Sequence, residues 1–140
     1  EFMSAKQFET FVWPNWKKAI QKTLDLGYDS VSMFFEGQRD KQLEYFLDFP
    51  KGSLCIRFQA SDIFRAKELF AGRACIMGNV PISRLQIGSP SEVEEYCKKL
   101  IKVCGKGGGF ILRCSTDYTQ DAKPENVKAM IDTVKKYGQY

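Results

Sequence analysis

The sequence predicts an α/β protein in which four parallel strands alternate with helices. Four short apolar runs, Ser30–Phe35, Leu54–Phe58, Cys75–Met77 and Phe110–Arg113, have the length and composition of buried strands. The segments around them carry apolar residues at helical spacing. No hairpin signal or linker interrupts the order α-βα-βα-βα-βα, so the strands are joined by crossovers and lie parallel.

The first helix spans Phe8–Leu26, with Phe8, Val12, Trp16, Ile20 and Leu24 four residues apart and Gly27 closing it. After the first strand comes Glu36-Gly37-Gln38-Arg39, then a short helix over Asp40–Leu47 and a turn at Pro50-Lys51-Gly52. The second strand leads into a helix over Asp62–Phe70, which Asp62 caps through first-turn amides. The third strand runs into Gly78-Asn79-Val80-Pro81. The helix from Ser89-Pro90 has a serine N-cap, proline at its first position, and Glu92, Glu94 and Glu95 at the positive end of its dipole. Its stripe of Val93, Tyr96, Cys97, Leu100, Ile101 and Cys104 ends at Gly105. Gly107-Gly108-Gly109 precedes a strand rather than a helix, which marks a tight turn and not a phosphate cradle. Val127, Met130, Ile131 and Val134 define the last helix.

Composition narrows the classes of function. With 44% apolar and 14% aromatic residues in 140, disorder is excluded. The 21 basic and 17 acidic residues give a net +4, and the lysines spread along helices as a solvated face. The expectation is therefore no nucleic-acid partner. No run reaches the ~18 apolar residues of a membrane span, so no membrane partner is expected. Cys55, Cys75, Cys97, Cys104 and Cys114 lack CxxC spacing, and four of them read as free buried thiols of a cytoplasmic protein. The chain has no histidine, which removes the commonest general base and metal ligand from it. Glu1-Phe2 before Met3 reads as a cloning remnant, so residues 1–3 precede a single expected domain of residues 4–140. Periodicity alone leaves two architectures open: a small doubly wound sheet, or half of an eight-stranded barrel, which needs about 250 residues in full.

Several strings point further. In order they are Trp13-Pro14 to Lys17-Lys18, Phe35-Glu36-Gly37, Ala66-Lys67-Glu68, Gly78-Asn79-Val80-Pro81, Gly88 to Val93, Gly107 to Leu112, and Ala122 to Asn126. Together they resemble the C-terminal half of the uroporphyrinogen decarboxylase superfamily, in the branch related to cobalamin-dependent methyltransferases. The resemblance covers Phe11 to Tyr140. It implies half of a (β/α)8 TIM barrel, strands five to eight, with the active site at the C-terminal ends of the strands. It also implies a longer parent that transfers a methyl group between a corrinoid such as methylcobalamin and a small-molecule substrate, alone or with a corrinoid protein. The isolated half is then expected to be inert. Tetrapyrrole decarboxylation is the alternative, and a binding or assembly module the non-catalytic one.

Glu36 is the candidate catalytic residue, because a carboxylate ending a buried strand points into the barrel mouth. Gln38, Arg39, Gln59, Gly78, Asn79, Ser115 and Asp117 are the candidate substrate contacts, with Ser115 to Tyr118 a wall of the site. Asn126 is expected to steady that loop. In the zinc-dependent methyltransferases of the superfamily, a His-x-Cys pair ends the strand that the resemblance equates with Ser30–Phe35, and another cysteine follows the last strand. Here Glu36-Gly37-Gln38 stands in place of the pair, and Cys114 falls about two residues early. Glu36 and Cys114 are the candidate metal ligands, but two ligands are too few for zinc. For the decarboxylase alternative, Arg39, Arg57, Arg84 and Arg113 carry forks suited to carboxylates. A half-barrel has two open edges, so a homodimer that closes the barrel is expected.

Overall fold

The structure, a computed structural model, describes residues 3–117 and 120–139. Glu1-Phe2 and Tyr118 of the sequence reading lie outside them. The sheet holds β1 (Val31–Phe35), β2 (Leu54–Phe58), β3 (Cys75–Val80) and β4 (Phe110–Cys114), all parallel, in the order β1-β2-β3-β4. That order decides between the two architectures. A doubly wound sheet reverses its strand order at a switch point, whereas a barrel adds each strand beside the last. The fold is a four-stranded half of a TIM-barrel-like domain.

Helices cover one face of the sheet. The chain enters through α1 (Ala5–Gln7), just before the predicted first helix, which a π-helical stretch (Phe8–Val12) and α2 (Trp13–Asp25) occupy. A 3-10 helix (Asp40–Asp48) stands where the short helix was expected, followed by α3 (Ile63–Phe70), α4 (Ile82–Gln86), α5 (Pro90–Cys104) and α6 (Pro124–Tyr137). Asp62 caps α3 by accepting from the amides of Phe64 (2.9 Å) and Arg65 (3.2 Å). Ser89 and Glu92 form a reciprocal capping box on α5. Helix α4 is an addition to the sequence reading. At five residues it is too short for periodicity to reveal.

Alternation along the strands sorts the side chains. Phe35, Ile56, Phe58, Ile76, Val80 and Phe110 join the helices in the core. Ser32, Phe34, Cys55, Arg57, Met77 and Ile111 take the opposite face, in register across the sheet. In a whole barrel that face points inward. Here Phe34 is 39% exposed and Ile111 47% exposed. The core beside β1 is aromatic: Phe35 packs against Phe8, Trp16, Phe46 and Phe58 at centroid distances of 5.2–6.5 Å. Toward β4 it is aliphatic and thiol-rich. All five cysteines are free. Burial pushes the thiols of Cys97 and Cys104 up to about 12 and about 11, so both stay protonated near neutral pH.

Candidate functional site

The C-terminal ends of the four strands carry the candidate residues, and backbone geometry at β1 and β2 places the first group. Glu36 leaves β1 exposed, at the rim. Gly37 follows with φ +76°, and its amide donates to Gln59 Oε1 at 2.7 Å. The Arg39 amide donates to Ser61 Oγ at 2.9 Å, and the Arg39 guanidinium folds back to the Glu36 carbonyl (2.9 Å) and over the Phe8 ring (5.6 Å). Gln38 donates from Nε2 to Asp40 Oδ2 at 3.2 Å, while Asp40 Oδ1 accepts from the Asp62 amide at 2.8 Å. Gln59, Ser61 and Asp40 thus clamp the two loops together. The Arg39 head and the Gln59 side-chain oxygen, both candidate substrate contacts, have backbone and ring partners here. Of this group, Glu36 is the one whose side chain reaches open solvent with no such anchor.

The second group gathers at a cleft of 530 Å³ that includes Gln59, Ser61, Asn79, Tyr96 and Ser115. Gly78 has φ +131°, and a Cβ there would come within 2.8 Å of the Phe58 carbonyl oxygen. The absent side chain thus lets this strand approach the neighbouring one closely. Asn79 donates from Nδ2 to the Ser61 carbonyl at 3.0 Å, and Tyr96 donates to Asn79 Oδ1 at 3.4 Å. Ser115 Oγ accepts from the Ile82 amide at 3.2 Å and so holds the start of α4. Sequence reasoning placed Tyr96 on an apolar stripe. The signal available was its hydroxyl, which a half-buried tyrosine must satisfy. Burial raises its pKa above the ordinary 10.0.

The third group is at the end of β4. Asp117 Oδ1 accepts from Arg57 Nη1 at 3.1 Å and from Arg113 Nη2 at 3.3 Å. This pairing was not foreseen, since sixty residues separate Arg57 from Asp117.

Two expectations need correction. Glu36 and Cys114 are not brought together as metal ligands: they end the two opposite edge strands of the sheet, three strand spacings of about 4.8 Å apart. Cys114 is 1% exposed in the core, and its thiol donates to the Thr116 carbonyl at 2.6 Å. Among the described residues, no group of three or more His, Cys, Asp or Glu side chains is placed to hold a metal ion. Asn126 does not steady the 114–117 loop. Its Nδ2 donates instead to the carbonyls of Arg84 (3.2 Å), Leu85 (3.1 Å) and Gly88 (2.9 Å), closing the C-terminal end of α4.

The residues fit a known family. A family model described as uroporphyrinogen decarboxylase (URO-D) matches residues 1–137. A curated uroporphyrinogen decarboxylase from Pseudoalteromonas atlantica is 30% identical over 76 residues, which are 54% of this chain and 21% of that protein. Among solved structures, a methyltransferase from Methanosarcina mazei superposes with a TM-score of 0.73 at 18% identity, over 98% of this chain and 39% of that one. The chain thus spans well under half the length of either relative, and the shared fold runs through nearly all of it. The chain belongs to the uroporphyrinogen decarboxylase family.

Proposed function

We propose that the chain is the C-terminal half of a barrel enzyme whose parent transfers a methyl group between a corrinoid and a small acceptor or donor. The observation that carries this reading is the position of Glu36. Its carboxylate stands exposed at the strand-end rim, on a backbone fixed by Gln59 and Ser61, where barrel enzymes concentrate their chemistry. There it serves to bind substrate or to accept a proton from the acceptor. Likeness in fold to the Methanosarcina mazei methyltransferase adds support. The corrinoid would supply the transferable methyl group. No zinc site is proposed, because the described residues do not assemble one.

Glu36→Gln in the intact parent is expected to lower methyl transfer by about a hundredfold or more, the usual scale of a positioned acid–base group. Unchanged turnover, with methylcobalamin as donor, would remove Glu36 from the chemistry. The match to the curated decarboxylase from Pseudoalteromonas atlantica favours a second reading, tetrapyrrole decarboxylation. Turnover of uroporphyrinogen by the parent, with no response to methylcobalamin, would establish it. Neither response would leave a binding or assembly module.

The half-barrel alone is expected to be inert and to pair with a second copy, through its open edges and the exposed Phe34 and Ile111. Light scattering should then give twice 16.0 kDa. A monomer would overturn the pairing. Five free cysteines fit a cytoplasmic setting, which is proposed with it.

A further inference from the structure

Cys55 and Cys75 are partners in register on the adjacent parallel strands β2 and β3. Neighbouring strands lie about 4.8 Å apart, inside the roughly 4.4–6.8 Å between α-carbons that a disulfide spans. Ile56 and Ile76 point into the helix-covered core, so both cysteines turn to the open face. Both are half-buried and free, whereas Cys97, Cys104 and Cys114 are shut in the core. Nothing bulky flanks the pair. Ser32 is in register with Cys55 on one side. On the other, Gly109 stands beside Cys75, its carbonyl accepting from the Ile76 amide at 2.9 Å.

Cys75 also lines a cleft of 250 Å³ walled by Gly52, Gly72 and the glycines of residues 107–109. The cleft lies at the N-terminal ends of the strands, away from the sheet edges through which a second copy is expected to join. A small thiol or disulfide thus has a way to the Cys75 sulfur. The two thiols are not equivalent. Burial, together with a hydrogen bond to Cys75 and the nearness of its charge, pushes the Cys55 thiol up to about 12. Cys55 therefore keeps its proton near neutral pH and is the second of the two to react.

We propose that Cys55 and Cys75 form a reversible thiol–disulfide pair, oxidised by a small disulfide such as glutathione disulfide. The Cys75 sulfur, as thiolate, attacks one sulfur of the small disulfide. A mixed disulfide forms, and one small thiol leaves with the electron pair of the broken bond. Cys55 then gives its proton to water and attacks the Cys75 sulfur, which closes the protein disulfide and releases the second small thiol. The protein loses two protons and two electrons, and the small disulfide becomes two thiols. Strands β2 and β3 are held in the middle of the sheet, so they cannot turn to suit the new bond. A strained bond of this kind is readily reduced, which makes the pair a switch rather than a permanent staple. This pairing is independent of the methyl-transfer reading, because it is detected as a covalent bond without turnover.

The test places the native 140-residue chain in glutathione buffers of rising oxidised fraction, then alkylates the remaining thiols in acidic urea and digests with trypsin. Trypsin cuts after Lys51, Arg57, Arg73 and Arg84, so Cys55 and Cys75 leave on separate peptides, 52–57 and 74–84. Mass spectrometry should find these two joined, two hydrogens lighter than their sum, and parted again by dithiothreitol. Cys97, Cys104 and Cys114 should be recovered alkylated. Cys55→Ser should stop the reaction at a mixed disulfide of Cys75 with glutathione, and Cys75→Ser should abolish it. Peptides that stay separate at every glutathione ratio would overturn the proposal. So would joining that proceeds equally well in urea, where no register exists, or that links either cysteine to Cys97, Cys104 or Cys114 as readily.

Discussion

Phe35→Ala is expected to destabilise the chain by about 3–5 kcal/mol, the range for emptying an aromatic site in a packed core. Phe35 is completely buried at the end of β1. Its ring meets Phe46 edge-on at 5.2 Å and Phe8, Trp16 and Phe58 within 6.5 Å. It thereby joins the incoming helix, the 3-10 segment and the second strand in one contact. Rings held by other rings cannot slide inward to fill the gap, so the cavity should persist. A single domain has about 5–15 kcal/mol in total, and a loss of this size removes about a fifth of it or more. Urea unfolding followed by circular dichroism measures it. A shift worth less than about 1 kcal/mol would show that the cluster relaxes around the hole.

Asn126→Asp should be comparably damaging near neutral pH, by about 3–5 kcal/mol, as for an uncompensated buried charge. The Asn126 side chain is completely buried, and its amide nitrogen serves three carbonyls at 2.9–3.2 Å. A carboxylate there loses those donors and sets negative oxygens against the three carbonyls. The native Oδ1 has no hydrogen-bond partner among the described residues, so no existing donor there would stabilise the new charge. Both effects favour the protonated acid, which raises the folded-state pKa above the unfolded one. The sign follows from linkage. The ionisation penalty is absent below the unfolded pKa and grows as pH rises from there through the folded pKa. Acidification should therefore restore part of the lost stability, and an equal cost at pH 4 and pH 7 would contradict the geometry described.

Elements with a strong local pattern were legible in the sequence. The cap and stripe of α5 and the apolar runs of β1 and β2 correspond to the structure within a residue, because local chemistry decides them. Strand β3 runs three residues beyond its predicted end. Gly78-Asn79 has turn chemistry, yet the glycine serves close packing against Phe58 and the chain stays in the sheet. The Asp40–Asp48 segment has helical spacing but adopts the tighter 3-10 form. The candidate site was legible by position and less so by role. That Gln59, Asn79 and Ser115 gather at one cleft follows from all three ending strands. That their polar atoms are taken up by backbone groups depends on loops 18 to 33 residues apart. No periodicity encodes such distances. The Arg57–Asp117 pair is the extreme case.

The uneven distribution of aromatic residues has an optical consequence. The two tryptophans of the chain, Trp13 and Trp16, both sit in the ring cluster beside β1. The end of the sheet formed by β4, α5 and α6 carries none. Intrinsic indole emission therefore watches only the first half of the sheet, while the far-ultraviolet amide signal watches all of it. If the two traces melt together, the half-barrel comes apart as one unit. If emission changes at a different denaturant concentration, the two ends of the sheet open separately, and the molecule reports it without any added dye.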